Sequence, residues 1–248
     1  MADGHCPECG GTGFRVACVE GVTRAGRCEC ERDARVDRLM TEARLPARHQ
    51  KYDLIHFERL TPDLQRAHDL SLEFVQAYPD VDRGILFIGP PGAGKTHLAV
   101  GILKMLVSEK GVGAMFYDFK DLLQALRTSY DSASQSTEWS VLDPVVKAEV
   151  LVLDDLGSVR TTGWGQEMLF YILTTRYNEE RVTLVTSNLP DAKATRLEKR
   201  ETLESVIGTA IRSRLAEMCL EVRIDDAADY RRAPPARSGA TPFRSPRR

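Results

Sequence analysis

The chain has 248 residues, of which 42% are hydrophobic, and its formal net charge at pH 7 is −2. This length accommodates one sizeable α/β domain together with a small additional module. No apolar stretch approaches the roughly 18 residues that a membrane-spanning helix needs, and the polar N-terminus is unlike a signal peptide. We therefore expect a soluble, cytoplasmic protein without a membrane partner, and any basic surface for nucleic acid must be local.

Cysteine is concentrated at the N-terminus, where five of the six cysteines fall within the first thirty residues. Cys6 and Cys9 form a C-x-x-C pair followed by two glycines, and Cys28 and Cys30 form a second, tighter pair. In a reducing compartment such a cluster indicates metal rather than disulfides. Four thiolates suit a tetrahedral Zn²⁺ site that holds together a segment too short for its own core.

Other interpretations of this cluster remain open. A C-x-C pair is less usual than C-x-x-C, so Cys18 or His5 could replace one zinc ligand. An iron–sulfur cluster and reduced, unliganded cysteines are the remaining alternatives. Cys219 stands apart near the other end of the chain and is expected to be a buried apolar residue.

The next segments predict a connector and the start of a larger domain. Residues 31–45 have the pattern of a charged helix with a thin apolar stripe, which Pro46 ends. We assign residues 1–45 to the zinc module and its connecting helix, and residues 46–228 to the main domain. A second helix is predicted from Thr61-Pro62 to Tyr78.

A glycine-rich loop follows the apolar run at residues 85–88. Residues 89–96 match G-x-x-x-x-G-K-[ST] between a predicted buried strand and a helix, the setting in which this pattern binds a nucleoside triphosphate. The glycines let backbone N–H groups surround a phosphate chain, and the helix N-terminus adds its positive dipole end. Lys95 is expected to reach the β- and γ-phosphates, and Thr96 to offer a hydroxyl to Mg²⁺. The predicted nucleotide-binding residues are Gly89, Pro90, Pro91, Gly92, Ala93, Gly94, Lys95, Thr96 and His97.

A second apolar run, residues 150–153, ends in Asp154 and Asp155. Adjacent carboxylates at the end of a buried strand are costly unless a positive charge is close. In nucleotide hydrolases with this loop the first acid holds the metal. We therefore assign Asp154 to Mg²⁺, directly or through water, and Asp155 to orienting or deprotonating the attacking water.

The remaining pattern alternates strands with helices, which predicts a parallel sheet covered on both faces. Strands are expected at residues 114–117, 182–186 and 220–224, the last at an edge, and helices near 118–127, 165–178 and 204–218. Residues 128–138 are polar and predict a loop. The tail, residues 229–248, is rich in arginine and proline and is expected to be disordered.

Two further residues bear on hydrolysis. Asn188 follows the strand after the paired acids, where an amide can hold the attacking water. Arg214 lies on the last predicted helix, far in sequence from the chain's own phosphate loop. An arginine donated into a neighbouring subunit's site can stabilise transition-state charge.

Together these residues resemble the AAA+ ATPases of the DnaC, DnaI and IstB group, which includes the bacterial replicative helicase loaders. The similarity covers about residues 46–225. The resemblance implies an α/β P-loop NTPase core, with Lys95 and Thr96 in Walker A, Asp154 and Asp155 in Walker B, Asn188 as sensor 1 and Arg214 as the arginine finger. The cysteine-rich segment also looks like the zinc-binding N-terminus of many loaders. Only 34 residues follow Arg214, too few for a C-terminal helical lid.

The resemblance implies an ATPase that delivers a replicative DNA helicase onto single-stranded DNA and assembles head to tail. Asp155 stands where many AAA+ proteins have glutamate, which suggests slow turnover coupled to assembly or DNA. Lys120, Arg127 and Tyr130 are candidate DNA contacts, or ordinary surface residues. The alternatives are a transposition helper that binds duplex DNA and a transposase, and a regulatory module that binds ATP with little turnover.

Overall fold

A computed structural model of the protein describes residues 6–19, 22–129, 138–160, 163–191 and 201–227. Within these ranges the chain forms seven strands and eight α-helices, which in order are β1 (Phe14–Val19), β2 (Val22–Arg27), α1 (Glu29–Glu42), α2 (Pro62–Ala77), β3 (Gly84–Ile88), α3 (Lys95–Lys110), β4 (Ala114–Asp118), α4 (Phe119–Ser129), α5 (Glu138–Lys147), β5 (Val150–Asp154), α6 (Gly163–Asn178), β6 (Val182–Ser187), α7 (Leu203–Ile207), α8 (Thr209–Met218) and β7 (Cys219–Arg223). No helix among the described residues is long and apolar enough to cross a membrane.

The main sheet has five parallel strands in the order β4-β5-β6-β3-β7. The predicted parallel sheet is confirmed, and β7 lies at an edge as expected. Since parallel strands point the same way, Ile88, Asp118, Asp154 and Ser187 end at one edge of the sheet. The loops that leave this edge carry the candidate functional residues, as is usual for open α/β sheets.

Both faces of the sheet are covered by helices. Along β3, Ile85 and Phe87 pack into one core with α2 and α3, while Leu86 and Ile88 pack into a second core with α4 to α8. Strands buried on both faces explain the continuous apolar runs in the sequence. The result is a three-layer α/β structure in which the strand ends are held firmly in place.

The N-terminal segment is attached to this structure through α1. β1 and β2 form an antiparallel hairpin, and α1 follows directly. Just beyond the end of α1, the carbonyl oxygen of Ala43 accepts a hydrogen bond from the Phe116 N–H on edge strand β4 at 2.9 Å. Arg35 also donates to the carbonyl oxygen of Gly111 at the end of α3. The cysteine-rich segment is therefore joined to the core by a packed helix.

Two predictions about the elements were wrong or incomplete. The helix predicted over 204–218 is two helices, α7 and α8, because Gly208 adopts a φ of +93° between them. Both ends of the predicted loop 128–138 are helical, because α4 continues to Ser129 and α5 begins at Glu138. Residues 130–137 lie outside the described part of the chain. The hairpin and most of α5 were not anticipated. The predicted disordered tail also lies outside the described residues.

Candidate functional site

The glycine-rich loop connects β3 to α3 and is shaped by close contacts that exclude side chains. A Cβ on Gly89 would lie 2.3 Å from the carbonyl oxygen of Ile224, a backbone atom that cannot give way. Gly92 and Gly94 have φ angles of +82° and +85°, where other residues are strained. A Cβ on Gly94 would also lie 3.0 Å from the Phe57 ring. The loop therefore curls at the N-terminus of α3, as the sequence predicts.

Lys95 is the first residue of α3 and is only 5% exposed. Its Nζ donates hydrogen bonds to the carbonyl oxygens of Gly89 and Pro90, both at 2.8 Å, and to Asn188 Oδ1 at 2.7 Å. The ammonium group thus lies inside the curve of the loop. A triphosphate bound there would offer it charged acceptors in place of neutral ones.

Asp154 ends β5 and is buried beside two hydroxyl groups. Thr96 donates to Asp154 Oδ1 at 2.8 Å, and Thr186 donates to the same oxygen at 2.7 Å. Burial raises the pKa of the Asp154 carboxyl, which the two hydroxyl groups partly oppose. A buried carboxylate whose ionised form is disfavoured gains from a nearby cation. Thr96 and Asp154, the residues predicted to bind Mg²⁺, are in direct contact, and their oxygens are the ligand type that Mg²⁺ prefers.

Asp155 begins the turn after β5 and has a φ of +56°. The side-chain amide of Asn188 donates a hydrogen bond to Asp155 Oδ1. Burial and the negative charge of Asp154 raise the pKa of the Asp155 carboxyl, which favours its ability to accept a proton. Asp155 and Asn188, which are predicted to act on the attacking water, therefore contact each other. Asn188 also contacts Lys95.

Of the predicted nucleotide-binding residues, His97 has a side chain turned to another partner. Its Nε2 lies 2.8 Å from the Asp53 carbonyl oxygen, and its ring stacks on Tyr52 with centroids 4.6 Å apart. The ring also meets Phe57 edge-on. His97 thus fixes the segment at residues 52–57 against the phosphate loop. A side-chain contact between His97 and nucleotide remains a prediction.

Arg214 lies on α8, where its guanidinium covers the Tyr177 ring at 4.3 Å from the centroid. Its Nη1 also donates to Glu217 Oε2 at 3.0 Å. Four residues after Arg214, α8 ends and β7 begins, with Cys219 paired to Gly84 at the start of β3. Arg214 therefore lies toward the sheet edge opposite the phosphate loop of its own chain. Action of Arg214 on a neighbouring subunit stays a prediction.

The candidate DNA contacts are only partly within the described residues. Lys120 is exposed in the first turn of α4, and the Arg127 guanidinium lies 5.2 Å from the ring centroid of Trp164. Tyr130 lies outside the described part of the chain. Their contact with DNA stays a prediction.

The four predicted zinc ligands converge at the N-terminus of α1. The sulfur atoms of Cys6, Cys9, Cys28 and Cys30 all lie within 4.8 Å of one another. The Cys6–Cys28 and Cys9–Cys30 sulfur distances are 3.7 and 3.4 Å. A zinc ion with four sulfurs at about 2.3 Å in a tetrahedron needs neighbouring sulfurs about 3.8 Å apart, so the cluster fits zinc. His5 and the side chain of Cys18 lie outside the described part of the chain.

Thr186 is a site residue that the sequence motifs did not predict. Its hydroxyl contacts Asp154 and also accepts a hydrogen bond from the Asp155 N–H at 2.9 Å. The available signal was its place two residues before Asn188, on a strand expected beside the acid-bearing strand. Asp118 was also overlooked. It pairs in register with Asp154, and its negative charge contributes to raising the pKa of both acids.

Comparisons with known proteins find ATP-binding proteins among the relatives of this chain. The model of the family described as IstB-like ATP binding protein matches residues 25–235. Bacillus subtilis YqaM, which is uncharacterised, is 27% identical over 79% of this chain and 62% of its own length. A putative insertion sequence ATP-binding protein of Sinorhizobium fredii is 30% identical over 63% of this chain and 50% of its own length.

A solved structure extends the comparison. The crystal structure of the DnaC helicase loader has a TM-score of 0.64 and 33% sequence identity, and the match covers 72% of this chain and 99% of that one. By contrast, the chain spans about half to two thirds of the length of the first curated relatives it matches. The AAA+ type of P-loop fold is therefore established.

Proposed function

The chain belongs to the family of IstB-like ATP-binding proteins, and on this premise we propose that it is an ATP-hydrolysing loader that delivers a replicative DNA helicase onto single-stranded DNA. Family membership narrows the role to two kinds of DNA-associated ATPase, the helicase loaders and the insertion sequence proteins. The choice between them depends on whether the protein binds a replicative helicase or a transposase.

Hydrolysis is supported by the arrangement at the end of the sheet. Lys95 binds the phosphates, and Asp155 with Asn188 holds the attacking water in line with them. Thr96 and Asp154 would hold Mg²⁺, which would neutralise charge that develops on the phosphate oxygens. Asp155 accepts the proton that the water loses. Its carboxylate reaches less far than that of a glutamate at this place, which agrees with slow turnover.

The loader role is carried by one observation: the four-cysteine cluster lies at the head of α1, which is packed on the ATP-binding core. The family match begins at residue 25, so Cys6 and Cys9 lie before the matched part of the chain. A zinc-stabilised segment exposes its surface to a partner, and α1 links that surface to the core next to strand β4. We assign helicase binding to this segment.

Hydrolysis is tested by Asp155→Asn in the full-length protein. We expect ATP binding to persist and turnover to fall by about 100-fold or more, the usual contribution of a general base. Asp143→Asn, a change at an ion-paired surface acid on α5, is the matched control and should be silent. Wild-type turnover in Asp155→Asn would show that the acid has another role. Negligible turnover in the wild type itself would favour the regulatory module.

The partner is tested by capture with purified proteins. Tagged full-length chain is mixed separately with the host's replicative helicase and with a transposase encoded beside an IstB-type gene. We expect the helicase to bind, and binding to be lost in a Cys6→Ser/Cys9→Ser double variant that still binds ATP. Binding to the transposase and to duplex DNA, without the helicase, would replace this proposal with the transposition helper.

A further inference from the structure

Thr186 occupies a position between the two acids of the site. It is the fifth residue of β6 and is 1% exposed. Its hydroxyl donates to Asp154 Oδ1 at 2.7 Å and accepts from the Asp155 N–H at 2.9 Å. A threonine hydroxyl has one hydrogen to donate. That hydrogen is used on the carboxylate that is expected to face the metal.

Thr96 donates to the same oxygen of Asp154, but its role differs from that of Thr186. The Thr96 hydroxyl is expected to turn its oxygen to Mg²⁺, and a metal-bound hydroxyl has a new principal partner. Thr186 lies on β6, between β5 and β3, and its hydroxyl is engaged by the Asp154 carboxylate and the Asp155 N–H. It can therefore hold the Asp154 carboxylate in one orientation whether or not Thr96 is engaged.

Thr186 also stabilises the backbone of Asp155. That residue has a φ of +56°, a conformation that costs free energy unless its surroundings hold it. The Thr186 hydroxyl accepts the Asp155 N–H, and the Thr186 carbonyl oxygen accepts the Leu156 N–H at 2.8 Å. Ser187 then donates to the Leu156 carbonyl oxygen at 2.7 Å. The end of β6 thus fixes the turn that carries the catalytic acid.

We propose that Thr186 is a positioning residue, whose hydroxyl sets the orientation of the Asp154 carboxylate for Mg²⁺ and the backbone of Asp155 for the attacking water. The inference rests on the proposed ATPase function for its second half. The first half concerns metal-dependent nucleotide binding and stands without turnover. Groups that orient a metal ligand typically change metal affinity or activity by 10–100-fold when removed.

The decisive comparison uses Thr186→Val, which keeps the branched shape and removes the oxygen, and Thr186→Ser, which keeps the oxygen. A fluorescent ATP analogue is titrated into each full-length variant with Mg²⁺ and again with EDTA. For Thr186→Val we expect affinity about 10-fold weaker with Mg²⁺ and unchanged with EDTA. In turnover assays with Mg²⁺, kcat should fall by a similar factor. Thr186→Ser should restore most of both quantities.

Thr183→Val is the matched control, because Thr183 lies on the same strand, is equally buried and accepts a hydrogen bond from Arg176 rather than contacting the acids. It should leave the Mg²⁺-dependent gain in affinity unchanged. If Thr186→Val does not fold, Thr186→Ala takes its place in every comparison. A Thr186→Val or Thr186→Ala protein with the wild-type Mg²⁺-dependent gain and wild-type kcat would overturn the proposal.

Failure of this inference is distinguishable from failure of the proposed function. If the wild type hydrolyses no ATP, the proposed ATPase is wrong, yet the Mg²⁺-dependent affinity still tests Thr186. If the wild type hydrolyses ATP and Thr186→Val does so equally well with equal Mg²⁺ dependence, Thr186 is a packing residue only. If Thr186→Ser fails as badly as Thr186→Val, the hydroxyl is not the group responsible, which also contradicts the proposal.

Discussion

Lys95 and Asn188 are joined by a hydrogen bond of 2.7 Å from the lysine ammonium group to the asparagine Oδ1. The amide nitrogen of the same asparagine donates to Asp155. One side chain therefore connects the phosphate-binding cation with the candidate catalytic acid. Any nucleotide that draws Lys95 toward its phosphates competes with this bond, so Asn188 is placed to respond to the γ-phosphate.

The first prediction concerns Asn188→Ala. ATP binding should change little, because Lys95 retains its place inside the loop. Hydrolysis should fall on the order of 100-fold, since a misplaced water attacks poorly. Equilibrium binding and turnover are measured on the same preparation. Asn178→Ala, at an exposed position at the end of α6, is the control; comparable losses in both variants would remove the specific role of Asn188.

The second prediction concerns metal content. Elemental analysis of full-length protein should find about one zinc per chain, the stoichiometry of a closed four-thiolate site. Cys6→Ser, Cys9→Ser, Cys28→Ser and Cys30→Ser should each lose the metal. Cys18→Ser should retain it, as should Cys219→Ser, whose buried sulfur donates to the Thr183 carbonyl oxygen on another part of the fold. Zinc retained after Cys30→Ser would move the fourth ligand to Cys18 or His5.

The third prediction concerns acid stability. Burial, together with the positive charge of Arg48, lowers the pKa of His49 to about 4 from its usual 6.5. Between these values the unfolded chain binds a proton that the folded chain does not, so this residue makes the free energy of unfolding fall as pH falls from 6.5 to 4. The loss of unfolding free energy should reach on the order of 3 kcal/mol once the pH lies below both pKa values.

His49→Leu should abolish that part of the acid loss, while stability near pH 8 changes less. The imidazole is 3% exposed and packs against Tyr52 and Phe116, so leucine keeps an apolar contact there. Thermal unfolding from pH 8 to pH 4 measures the effect. His56→Leu, at an exposed histidine, is the control. Parallel pH profiles for wild type and His49→Leu would contradict the assignment.

Local motifs made much of the site predictable. The phosphate loop, the paired acids and Asn188 each sit at a strand end, and the alternation of strands and helices fixes which strand ends share an edge. The glycines of the phosphate loop likewise predict the tight turn between β3 and α3. Thr186 was harder to recognise, because its place before Asn188 gives its strand, whereas its contact with Asp154 depends on the register between β5 and β6.

Other features depended on packing that sequence patterns do not contain. Gly208 interrupts an otherwise helical pattern, and only its φ of +93° shows that it separates α7 from α8. The buried Arg176 donates to the carbonyl oxygens of Val145, Val146 and Ala148 at the end of α5, which helps explain a helix whose pattern alone was weak. Pairing of β1 with β2 could not be read from a segment dominated by its cysteines.

The fourth prediction concerns action between subunits. Arg214→Ala should bind nucleotide normally and lose the ATPase activity that assembly stimulates, because Arg214 lies toward the sheet edge opposite its own Lys95. Heterologous, head-to-tail contacts would bring it to a neighbour's site. In a mixture of Arg214→Ala and Lys95→Ala subunits, one variant supplies the pocket and the other the arginine, so part of the activity should return.

Inactivity of that mixture, under conditions where wild type assembles, would show that Arg214 does not act in trans. Arg223→Ala is a useful comparison, since Arg223 is tied to Glu221 and Asp191 within its own chain. It should leave the stimulated activity at the wild-type level.

Transfer of the replicative helicase to closed circles of single-stranded DNA tests the account most directly. Full-length chain, helicase and ATP are incubated with circles, and helicase bound to DNA is measured after a salt wash. We expect transfer with the wild type, none with Lys95→Ala, and none with the Cys6→Ser/Cys9→Ser variant despite its retained ATP binding. Helicase loading that is equal with and without the protein, alongside ATP-dependent binding of a transposase to duplex DNA, would contradict the account.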